Sequence, residues 1–157
     1  MTLVLSEDFS GELPPRWNRH LKGKGALERP GGMDAAPSTL RFVNANTTST
    51  DYTNAQIDDY QGLPRGRFPW RPPLRLALRA RFSHPEGELR GTAGFGFWND
   101  PFLMTEQRVP TLPRAVWFFY GSSPSDMKLD LKTVGHGWKA ATIDALRPIA
   151  LLLALSP

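Results

Sequence analysis

Residues 74–82 read LRLALRARF. On an extended chain Leu74, Leu76, Leu78, Ala80 and Phe82 fall on one side, and Arg75, Ala77, Arg79 and Arg81 on the other. An amphipathic helix needs apolar residues every three or four positions, so strict alternation over nine residues predicts a half-buried strand. Glycine and proline, 14 and 15 in 157 residues, break the rest of the chain into short pieces. Length and punctuation together predict one β-rich domain over 1–157 with a single core.

Other segments fit that reading. LVLSEDFSG (3–11) predicts a short strand entering a turn, followed by the irregular ELPPRWN. KGKGALERPGGMDAAP (22–37) reads as a loop or loose hairpin. STLRFVNA (38–45), DYTNAQIDDY (51–60), GTAGFGFW (91–98), RAVWFFY (114–120) and MKLDLKTV (127–134) are further strand candidates. Only the C-terminal part, 138–155, reads as helical. WKAATIDALRP suits one helix ended by Pro148, and IALLLAL suits the start of a second.

Composition removes several kinds of function. No cysteine is present, which excludes disulfides, thiolate metal sites and a cysteine nucleophile. His20, His84 and His136 are far apart without ligand spacing, so neither a metal nor a cofactor is expected. IALLLAL is far shorter than the ~20 residues a membrane helix needs. The start MTLVLSEDFSG lacks a basic, apolar leader, and a cytoplasmic location is the expectation. The net charge of +4 comes without a dense Lys/Arg block or a nucleic-acid motif, so no nucleic-acid partner is expected.

In this order, LSEDFSGELPPRWN, YTNAQIDDYQ, RGRFPW, LRLALRARF and GTAGFGFWNDPF resemble the concanavalin A-like lectin/glucanase superfamily, which includes the family 16 glycoside hydrolases. The resemblance covers roughly residues 3–134 and rests on aromatic and glycine placement. It implies an all-β jelly-roll β-sandwich, here carrying a short helical C-terminal segment. It also implies an abbreviated sandwich or one lacking its later strands, whose unpaired sheet edges invite self-association.

One departure bears on activity. In the hydrolases, the strand after the glycine–aromatic one carries alternating carboxylates, and retaining hydrolysis needs two of them ~5 Å apart. Here that strand reads Arg114-Ala115-Val116-Trp117-Phe118-Phe119-Tyr120, with no acid on either face. The resemblance therefore implies a non-catalytic module that binds an oligosaccharide or polysaccharide. The alternatives are a hydrolase with acids placed elsewhere, or a partner-binding sandwich with no sugar site.

The candidate ligand residues follow from face and chemistry. Trp98 shares a face with Gly94 and Gly96, while Phe95 and Phe97 point the other way, towards the core. Cleared of side chains, that face suits a sugar ring stacked on Trp98; equally, the glycines could admit Trp117 or Phe119 from the next strand. Asn99 and Asp100 end the strand at a loop mouth, where they either bond hydroxyls or form the Asn-Asp-Pro turn. Tyr120 is read as a lining residue of the same groove. Asn54 and Gln56, with Asp58, form a polar stripe that would suit a polyhydroxyl ligand or a solvent-facing sheet. The stripe Arg75, Arg79 and Arg81 reads first as a solvated outer face and second as an anion site.

Overall fold

The computed structural model describes residues 5–29, 38–60, 63, 68–85, 87–100, 111–123, 132 and 134–145. Every regular element among them is a strand, and every pairing is antiparallel. No helix among the described residues is long and apolar enough to cross a membrane. The chain divides into two compact units, Met1–Arg67 and Phe68–Pro157.

The first unit holds β1 (Asn18–Lys22), β2 (Gly25–Glu28), β3 (Arg41–Asn44) and β4 (Asn54–Asp58). The pairs are nested: β2 pairs with β3, and β1 with β4 outside them. β3 and β4 fall inside the predicted strands 38–45 and 51–60. The sequence reading left 12–18 irregular, gave no element to 19–21 and took 22–37 as loop or loose hairpin; residues 12–17 are irregular, but β1 begins at Asn18 and β2 lies within 22–37. The physical reason is that β1, NRHLK, has no apolar alternation: Asn18, His20 and Lys22 face Asp58, Gln56 and Asn54 across the ladder. With Leu21 its one apolar residue, the strand carries no hydrophobic period to detect.

No strand forms over residues 5–11. Carboxylates organise a turn there instead. Asp8 accepts hydrogen bonds from the Ser10 amide (2.9 Å) and hydroxyl (2.8 Å), the local side-chain-to-backbone pattern that competes with ladder formation. Glu7 accepts from the Phe9 amide, the Arg16 guanidinium and the Trp17 indole. The Phe9 amide, followed by the Trp17 and Arg16 donors, holds the Glu7 carboxyl below the usual carboxylate range.

The second unit holds a sheet in the order β5-β6-β7, formed by Thr92–Trp98, Arg114–Gly121 and Gly137–Asp144. β5 and β6 lie where the sequence predicts them. β7 overturns the helix predicted from Trp138 as far as Asp144; residues 146–157 lie outside the described residues. Ala140 and Ala141 favour helix intrinsically, but the register sets them beside Phe118 and Trp117 of β6. Pairing with β6 overrides local propensity.

LRLALRARF differs from expectation. It pairs with none of the described strands, and Leu74, Leu76 and Leu78 remain 37%, 47% and 47% exposed. Its end is anchored: the Phe82 ring meets Trp138 of β7 edge-on at 4.8 Å. Trp70 lies 6.2 Å from Phe97 of β5. The 68–84 segment thus touches the sheet face that bears Phe97 and Trp138. The predicted strand 127–134 lies outside the described residues except for Lys132 and Val134.

Candidate functional site

The antiparallel register sorts the side chains of β5-β6-β7 onto two faces, since directly opposed residues point the same way. One face carries Phe95, Phe97, Val116, Phe118, Tyr120 and Trp138. Phe118 and Trp138 stack with centroids 5.1 Å apart and planes 17° from parallel, and Phe95 lies 5.3 Å from Phe118. The 68–84 segment touches this face, where Phe95 and Phe97 are half-buried while Val116, Phe118 and Trp138 remain 54%, 44% and 41% exposed.

The other face carries Gly94, Gly96 and Trp98 of β5 beside Phe119, Trp117 and Ala115 of β6. Each opposed pair sets a large residue against a small one. A Cβ at Gly94 would lie 2.6 Å from both the Phe119 Cβ and the Phe118 carbonyl oxygen. At Gly96, where φ is 152°, it would run into the Val116 carbonyl oxygen. The glycines therefore let β6 and its aromatic side chains come close, the second of the two roles the sequence left open. What results is an aromatic run: Trp98 to Trp117 at 4.9 Å and 44°, then Trp117 to Phe119 at 5.4 Å and 73°. Lys139 of β7 sets its ammonium 5.6 Å from the Phe119 centroid, within cation–π range.

The remaining expected ligand residues of this unit have structural positions. Tyr120 is buried on the opposite face and does not line a groove with Trp98; its hydroxyl points at the Leu89 carbonyl, 3.5 Å away. Asp100 is 0% exposed with a φ of 45°, so it presents no carboxylate to solvent. Asn99 clasps the strand ends. Its amide nitrogen donates to the Leu112 carbonyl (3.0 Å), its side-chain oxygen accepts from the Arg114 amide (2.9 Å), and its backbone N–H donates to the Arg114 carbonyl (3.2 Å). These bonds place Asn99 at the closing of the strand ends.

Asn54 and Gln56 belong to the first unit, on the polar face of the β1–β4 ribbon. That face contains a pair the sequence reading missed. His20 Nε2 lies 2.5 Å from Asp58 Oδ2, with both side chains about 95% buried. The other carboxylate oxygen of Asp58 accepts from the Asn18 side chain (2.9 Å) and the Tyr60 amide (3.0 Å). The Asn54 amide nitrogen is buried with no hydrogen-bond partner among the described residues. His20 lies diagonal to Asp58 and directly opposite Gln56. The only signal in the sequence was a histidine with polar neighbours two residues away on each side, at Asn18 and Lys22.

This arrangement fixes the imidazole through a fully desolvated contact and ties β1 to β4. No group of three or more His, Cys, Asp or Glu side chains able to hold a metal occurs among the described residues. No protein-family model matches this chain, and no curated protein or solved structure matches it.

Proposed function

We propose that this chain is a concanavalin A-like jelly-roll sandwich that binds carbohydrate without cleaving it, on the glycine-bearing face of β5-β6-β7. One observation carries the reading: Trp98 and Trp117 stand 4.9 Å apart beside the side-chain-free positions Gly94 and Gly96. Two neighbouring indoles offer a broad apolar surface with polar N–H edges, which suits the C–H face and hydroxyl rim of a sugar. The Phe97–Trp70 and Phe82–Trp138 contacts support a second layer over the opposite face, as a sandwich requires.

Hydrolysis is disfavoured on chemical grounds. β6 presents Ala115, Trp117 and Phe119 on one face and Val116, Phe118 and Tyr120 on the other, so it cannot supply two carboxyls ~5 Å apart. Asp144, at the end of β7, is paired with Arg114 at 3.2 Å.

The test is a tryptophan-fluorescence titration with neutral oligosaccharides of several linkages. A saturable response that disappears in both Trp98→Ala and Trp117→Ala, and survives in Trp138→Phe on the opposite face, supports the reading. No response to any glycan, or one unchanged by either alanine variant, sinks it. Release of reducing ends by the wild type would replace it with a hydrolase.

A further inference from the structure

Between Asp59 and Glu86 the chain contains Arg65, Arg67, Arg71, Arg75, Arg79 and Arg81 and no aspartate or glutamate. This one stretch carries +6, while the whole protein carries +4, so everything else sums to −2. The protein's excess positive charge is therefore concentrated in residues 60–85.

The four described members of that set, Arg71, Arg75, Arg79 and Arg81, are all exposed, and none makes an ion pair with a described residue. Other arginines are engaged. Arg16 pairs with Glu7 at 2.9 Å, Arg41 with Glu28 at 3.5 Å and Arg114 with Asp144 at 3.2 Å, while Arg29 donates to the Phe9 carbonyl. An acid-free run of guanidinium groups without ion pairs among the described residues leaves their forked donors available to a ligand.

We infer that Arg71, Arg75, Arg79 and Arg81 form an anion-binding ridge that takes an acidic polysaccharide, its sulfate or carboxylate groups held by bidentate guanidinium contacts. The ridge is separate from the Trp98–Trp117 platform, and the inference does not rest on that reading. Polysaccharide is favoured over nucleic acid by what lies between the charges. From Arg75 to Arg81 the intervening residues are Leu76, Ala77, Leu78 and Ala80, with no aromatic on which a base could stack.

The experiment measures binding of the full chain to heparin, to polygalacturonate, to a neutral β-glucan and to a DNA duplex, each across a salt series. Two variants are compared with wild type. Arg75→Gln/Arg79→Gln/Arg81→Gln removes three charges from the ridge, and Arg19→Gln/Arg41→Gln/Arg90→Gln removes three elsewhere. Thermal melts confirm that both fold. The ridge predicts salt-sensitive binding to heparin or polygalacturonate that weakens about tenfold or more in the first variant and little in the second. Heparin binding alone identifies sulfate as the preferred group, and polygalacturonate binding alone identifies carboxylate. Equal losses in the two variants, no binding to either acidic glycan, or tighter binding to DNA than to both would overturn the inference. Because the neutral glucan is measured in parallel, failure of the ridge and failure of the tryptophan platform give different patterns.

Discussion

Gly94 and Gly96 stand opposite Phe119 and Trp117, and a methyl group at Gly94 would meet both a carbonyl oxygen and a Cβ at 2.6 Å. Gly94→Ala and Gly96→Ala should each cost about 2 kcal/mol through strain at the β5–β6 contact, read as a lower urea midpoint. Gly91→Ala, where a Cβ would meet nothing within 4 Å but φ is 109°, isolates the backbone part of such a cost. The His20–Asp58 pair makes a different prediction. Asp58→Asn exchanges the carboxylate for an amide in a desolvated site and should destabilise the protein by about 3 kcal/mol, measured by the same unfolding experiment. Glu7 gives a pH dependence whose sign is fixed. Its folded-state pKa lies below the unfolded value, so its stabilising contacts are complete above the usual carboxylate range and are lost as pH falls through the lower folded value. The Trp17 indole N–H resonance should therefore hold steady at mildly acidic pH and move only at more acidic pH. In Glu7→Gln it should be displaced already at neutral pH, with that acid-driven movement gone. The sequence displayed the glycines plainly, but their role depended on which residues the register set opposite them.

β7 shows how an element can be misread while its neighbours are not. β5 and β6 announce themselves through aromatic alternation and flanking turn residues, and they form where expected. β7 contains Ala140 and Ala141 in a segment followed by Pro148, a combination that local rules assign to helix. Those alanines are instead the small halves of pairs with Phe118 and Trp117, information held in a strand about twenty residues away. Ala140→Val separates the two possibilities. In a helix the β-branch is unfavourable; on the exposed face of β7 it should be neutral or stabilise by about 0.5 kcal/mol, read from the unfolding midpoint. β1 was hidden for a different reason, because Asn18, Arg19, His20 and Lys22 leave it a single apolar residue, Leu21. LRLALRARF, the strongest strand pattern in the chain, pairs with none of the described strands, so its alternation reported which side is apolar and not which neighbour it meets.

Across the whole molecule, charge is distributed less evenly than composition suggests, with all of the net positive charge in one acid-free stretch. Replacing Arg71, Arg75, Arg79 and Arg81 by glutamine takes the formal net charge from +4 to 0. The variant should focus at a much lower pH and turn turbid near neutrality at concentrations where the wild type stays clear. The β-rich character of the described residues was legible from punctuation and alternation, although the same reading placed a helix across β7. The division into two compact units was not, since neither carries a repeat or a compositional break at its edge. The Asn99 clasp has a consequence for how such a chain can change. Because one side chain bonds both Leu112 and Arg114, the β5–β6 register is secured before the connecting residues are counted. Asn99→Ala should therefore let this end of the ladder fray first, an opening that faster hydrogen exchange at the Arg114 amide would register.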